Sequence, residues 1–115
     1  MTAGEPIQLS THMWMRTLVD LGTLSLDYLE IQPGSIRTPV VHDNCDELSY
    51  ILSGELEFHL GDQKRVMRAG EAIGVPRGVP HGSVNHGPEV VRMLAANSPA
   101  FRLEDEVELQ PEEEA

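Results

Sequence analysis

Two stretches of this sequence place side chains able to bind a metal ion at fixed intervals between turn formers. One runs from Gly34 through His42 and Glu47 to Gly54, and the other from Gly70 through Pro76, Gly78 and His81 to Asn85. Imidazole and carboxylate suit iron, manganese, nickel, zinc or copper. Two imidazoles and one carboxylate on one side of an ion leave positions open for substrate and oxygen, so three protein ligands point to catalysis more than to a structural site. The glycines and the proline would close tight turns between strands, which lets residues distant in the chain aim at one point inside a barrel.

The elements that must do the aiming have period two. In Glu55-Leu56-Glu57-Phe58-His59-Leu60 polar and apolar residues alternate strictly, as a strand with one buried face requires. Further β-like runs are Trp14 to Val19, Thr23 to Gln32, Leu48 to Leu52, Arg65 to Arg68, Ala72 to Val75, His81 to His86 and Val90 to Ala95. Turn formers separate them, among them Pro33-Gly34, Ser53-Gly54, Gly61-Asp62 and Pro76-Arg77-Gly78. No stretch offers a convincing amphipathic helix. Eight or more short strands with no helix to cover a sheet predict an all-β domain, a closed barrel or a two-sheet jelly roll. Aromatic residues make up only 4% of the chain against 40% hydrophobic, so the core must come mainly from Val, Leu, Ile and Met.

The two stretches resemble the paired motifs of the cupin superfamily. The first motif is Gly, five residues, His-x-His, three or four residues, Glu, six residues, Gly. It is met at Gly34, His42, Glu47 and Gly54, with Val40 at the first His position. The second is Gly, five residues, Pro-x-Gly, two residues, His, three residues, Asn, and it is met throughout at Gly70, Pro76, Gly78, His81 and Asn85. The resemblance implies a small, single-domain, RmlC-like protein with a double-stranded β-helix, residues 1–103 forming the barrel. It maps the family's ligands for a divalent transition metal onto His42, Glu47 and His81. Val40 cannot coordinate, which implies either a two-His-one-Glu site that holds metal more weakly, or a lineage that binds an organic ligand instead. Cupins pair barrels through their sheets, so a homodimer is expected.

Arg37 lies within the first motif, where a guanidinium near the pocket mouth would pair with a carboxylate-bearing substrate. Glu47 could also act as a general base if it detaches from the ion. Cys45 reads as an inert thiol on a short turn, because nothing basic stands near it. His12, His59 and His86 read as exposed or hydrogen-bonded. By parity His86 should face away from the metal, and His59 either points to solvent with Glu55 and Glu57 or lines a polar cavity. The methionines and tyrosines read as core or interface packing.

Lys and Arg number 8 against 19 Asp and Glu, a formal charge of −11. A chain with no basic cluster cannot neutralise a run of phosphates, so nucleic acid and anionic membrane surfaces are not expected partners; a small molecule is. Seven of the acidic residues fall in Glu104 to Ala115, with no basic residue among them, which predicts a disordered tail over 104–115. One cysteine and no apolar leader fit a reducing cytoplasm. The leading expectation is a dioxygenase-like, metal-dependent enzyme acting on a small, oxygen-rich organic molecule. A metal-dependent isomerase, cyclase or decarboxylase, and a non-catalytic ligand-binding sensor, are the alternatives.

Overall fold

The computed structural model describes residues 4–109. Within them the strands are β1 (Ile7–Ser10), β2 (Met13–Asp20), β3 (Ser25–Ile31), β4 (Ile36–His42), β5 (Asp46–Ser53), β6 (Glu55–Leu60), β7 (Gln63–Arg68), β8 (Ala72–Val75), β9 (His81–Val84), β10 (Val91–Ser98) and β11 (Glu106–Glu108). They form two antiparallel sheets, one ordered β1-β2-β3-β10-β5-β8 and the other β11-β4-β9-β6-β7. This is the all-β jelly-roll barrel expected from the sequence, with inward residues of both sheets meeting in one core. Met13, Met15, Met67 and Met93 supply much of it, compensating for the scarcity of aromatics.

The inward rows of the long strands change character along their length. On β3 the row runs Ile31, Leu29, Asp27, Ser25; on β5 it runs Ile51, Ser49, Glu47; on β10 it runs Val91, Met93, Ala95, Asn97; all are buried. Registers Ala95↔Asp27, Asn97↔Ser25 and Asn97↔Glu47 stack the polar members at one end. The barrel interior therefore has an apolar end and a polar end. Asp27 is fully buried at the polar end, where Thr17, Ser25 and Asn97 each donate a hydrogen bond to it, at 2.7, 3.0 and 2.8 Å. Those donors meet the demand that a buried carboxylate be paired.

Three strands escape the period-two reading. β1 has only four residues, too few for the alternation Ile7-Gln8-Leu9-Ser10 to stand out, although Ile7 and Leu9 pack against the core. β4 contains Pro39, which signals a break in a strand, and the structure absorbs it in a register shift between Arg37 and Val40 against β9. The Pro39 carbonyl still accepts a hydrogen bond, from the Leu109 amide at 3.0 Å.

β11 lies in the acidic segment that follows Leu103: a 3-10 turn over Leu103–Asp105 leads into Glu106–Glu108, which pairs with Val40, Val41 and His42 of β4. Its pattern is inverted. Glu106 turns inward with its side chain 11% exposed, whereas Val107 is half exposed. Residues from 110 onward lie outside the described residues.

Two glycines are required by space. Gly54 joins β5 to β6 at φ +89, and a Cβ there would lie 2.9 Å from the Val90 carbonyl oxygen. Gly82 follows His81 on β9 where β4 approaches most closely, and a Cβ would overlap the Arg37 carbonyl oxygen. Gly82→Ala should therefore lower stability by about 1–3 kcal/mol as the β4–β9 pair is forced apart. Urea unfolding checks this, and a midpoint equal to that of the unsubstituted protein would contradict it.

Candidate metal centre

Each of the three sequence-selected side chains comes from a different strand. His42 ends β4, Glu47 is the second residue of β5, and His81 begins β9; all three are buried. One ligating atom from each can be chosen so that the three lie within 4.8 Å of one another. Glu47 Oε1 stands 3.5 Å from His42 Nδ1 and 3.7 Å from His81 Nε2. Atoms about 2.1 Å from a shared ion, at angles of about 90–120°, would be roughly 3.0–3.6 Å apart, so a small inward adjustment brings all three onto one cation.

A second observation concerns unmet bonding capacity. His42 Nδ1 is buried and has no hydrogen-bond partner. A buried polar atom without a partner is costly in a folded protein and calls for an explanation. A cation between Nδ1, Glu47 and His81 would supply the partner, so this donor set fits a divalent transition metal.

The surroundings hold these side chains in place. Ser49 Oγ donates to Glu47 Oε2 at 2.7 Å. The His42 and His81 rings meet edge to face at 4.9 Å, and Phe101 lies against His42 at 5.5 Å. Burial alone would push Glu47 up, but the neighbouring imidazoles and Ser49 outweigh it and hold the carboxylate below its ordinary range. An acid held ionised this way suits a metal ligand better than a proton carrier. Burial would likewise push His42 down, yet its hydrogen bond to Glu106 and the close Glu47 carboxylate raise it to about 9. His81 stays below its ordinary value, chiefly through burial.

The cavity in front of these groups is about 50 Å³ and is walled by Leu9, Met13, Met15, Leu29, Phe58 and Met93. Val40 stands opposite His81 in the β4–β9 register but is not part of that wall; it lines an adjoining groove with Arg37 and Glu106. Arg37 does reach the cavity, although its guanidinium already has partners within the chain. Nη2 contacts Glu106 Oε1 at 2.5 Å, and Nη1 donates to the Leu9 carbonyl at 2.7 Å. Glu106 is the residue that sequence reasoning missed. Its only sequence signal is the alternation Glu106-Val107-Glu108-Leu109, masked by the surrounding acidic run.

The other singled-out residues are not among the three clustered donors. Cys45 is buried rather than on an open turn, and burial, with Glu47 nearby, pushes its thiol up to about 11, in keeping with an inert role. His59 is partly buried and His86 exposed, and both bond to Glu57 on the barrel's outward side.

Among known proteins, the profile of the family described as a cupin domain matches residues 27–97. Oxalate oxidase 2 of Hordeum vulgare is 30% identical over 81 residues, which cover 64% of this chain and 36% of that protein. The chain spans 35–42% of the length of the curated relatives it matches. An RmlC-like cupin from Shewanella frigidimarina superposes with a TM-score of 0.77 at 21% identity, covering 86% of each chain. An oxalate oxidase in complex with the substrate analogue glycolate gives a TM-score of 0.62 at 26% identity, covering 67% of this chain and 42% of that one.

The raised His42 has a consequence for stability. In protein stripped of divalent metal by a chelator, a proton held more tightly in the folded than in the unfolded state is stabilising. With a folded value of about 9 against 6.5, that contribution is complete below pH 6.5 and is lost as pH rises through 9. Unfolding free energy should therefore drop on the order of 2 kcal/mol over that interval, and the drop should vanish in His42→Gln. A flat profile in the unsubstituted protein would contradict it.

Proposed function

The chain belongs to the cupin family, and on that footing we propose that it holds one divalent transition-metal ion at His42, Glu47 and His81 and acts, in the manner of a dioxygenase, on a small oxygen-rich organic acid. The observation that carries this reading is the convergence of three buried donors with an unpartnered Nδ1 among them. When bound, such an ion supplies Lewis acidity and, if it is iron or manganese, a route for electrons to oxygen.

The chain's own residues narrow the substrate. Arg37 and Glu106 neutralise each other, and a dication beside one ionised Glu47 leaves the buried centre with a single positive charge. A monoanion such as a carboxylate balances it. The cavity of about 50 Å³ admits only a few heavy atoms without rearrangement, and its Met and Leu walls give the reacting groups a largely apolar surrounding. The likeness to an oxalate oxidase, named for a two-carbon diacid, supports the same substrate size.

The homodimer belongs to the same reading. Its support is the outward side of the six-stranded sheet, where Leu48, Tyr50 and Leu52 stand exposed on alternate positions of β5. Sedimentation at micromolar concentration should give twice the chain mass; a single-chain mass would remove the dimer. For the metal and the reaction, protein loaded with iron(II) should consume oxygen in the presence of oxalate, glycolate or a similar two- to four-carbon acid. His81→Ala should lose most of its bound metal and this uptake while keeping its β-sheet circular dichroism. Oxygen uptake by none of these acids would contradict the dioxygenase reading, and unchanged metal content in His81→Ala would contradict the ligand set.

A further inference from the structure

We infer that Glu106, delivered by the acidic C-terminal strand, is a positioning residue for the metal centre: it fixes the His42 ring so that Nδ1, not Nε2, meets the ion. This rests on the metal reading proposed above and assigns a role to a residue outside both sequence motifs.

Three observations carry it. His42 and Glu106 are direct cross-strand partners in the β4–β11 register, and Nε2 lies 2.9 Å from Glu106 Oε2, with His42 buried and Glu106 partly buried. An ionised carboxylate only accepts hydrogen bonds, so the nitrogen facing it is the one bearing hydrogen. In the neutral ring, the form that ligates a metal, the lone pair then resides on Nδ1, the atom without a hydrogen-bond partner that faces Glu47 Oε1. Finally, Glu106 is itself held: Arg37 grips its other oxygen, and Arg37 is tied in turn to the Leu9 carbonyl of β1. The relay Leu9–Arg37–Glu106–His42 thus links the first and last strands of the described chain to the ligand set. Histidines that bind metal commonly donate their second N–H to a carboxylate, which orients the ring and strengthens it as a ligand. Here that carboxylate stands in a strand that a purely compositional reading treats as a tail.

The test is zinc binding by the full chain, measured by competition with a chromophoric chelator, together with two-bond ¹H–¹⁵N correlation spectra of the zinc-loaded protein. Glu106→Ala should weaken zinc binding roughly ten- to hundredfold. Glu106→Gln, which keeps an oxygen able to accept from Nε2, should fall between that variant and the unsubstituted chain. Thermal unfolding of both variants in chelator separates lost positioning from lost fold. The spectra, which need no substitution, should show His42 with hydrogen on Nε2 and zinc on Nδ1. Zinc binding unchanged in both variants, or His42 ligating through Nε2, would overturn the role of Glu106 while leaving the metal site intact. Failure of the unsubstituted chain to bind zinc or any other divalent transition ion would instead overturn the metal reading, and this inference with it.

Discussion

A carboxylate inside an apolar barrel is the constraint around which the rest of this structure is arranged. Removing Glu47 from water carries a penalty of several kcal/mol unless charge and hydrogen bonds replace the lost solvation. Two imidazoles and the Ser49 hydroxyl do so. Those groups must come from separate strands because a carboxylate's partners have to approach from different directions. The same arrangement that makes burial tolerable leaves one ring nitrogen facing Glu47 without a hydrogen bond, and it is on this combination that the proposed metal site rests. Glu106 repeats the solution one step further out, compensated by Arg37 on one oxygen and His42 on the other.

The fold serves that end through features that weaken it elsewhere. A register shift at Pro39 interrupts the ladder between Arg37 and Val40, ahead of the residue that carries the first imidazole. Gly82 gives up a side chain beside the second imidazole so that β4 can approach. Val40 and His81 face each other across the same pair of strands, yet only His81 reaches the cavity. With valine at that position, the carboxylate of Glu106 supplies the additional polar contact to His42 from the far side.

Much of this was legible in the chain. Alternation exposed most strands, and the spacing from Gly34 to Gly54 and from Gly70 to Asn85 located His42, Glu47 and His81, which the fold brings together. What escaped did so for physical reasons. A proline inside β4 reads as a break because its effect depends on whether a bulge can absorb it, and that is settled by the neighbouring strand. Glu106 and Glu108 alternate with Val107 and Leu109, but the burial runs opposite to ordinary patterning: the acid goes in and the valine out. Only the positions of Arg37 and His42, distant in sequence, make that favourable. The expected partner of Arg37 was a substrate carboxylate, and its partner within the chain is Glu106, which composition alone places in a repelling run.

Anomalous diffraction from crystals of protein purified without chelator addresses the central claim most directly. A single transition-metal peak is expected about 2.0–2.2 Å from His42 Nδ1, a Glu47 carboxylate oxygen and His81 Nε2. A map with no anomalous peak among these three side chains, or with their ligating atoms turned toward bulk solvent, would contradict it.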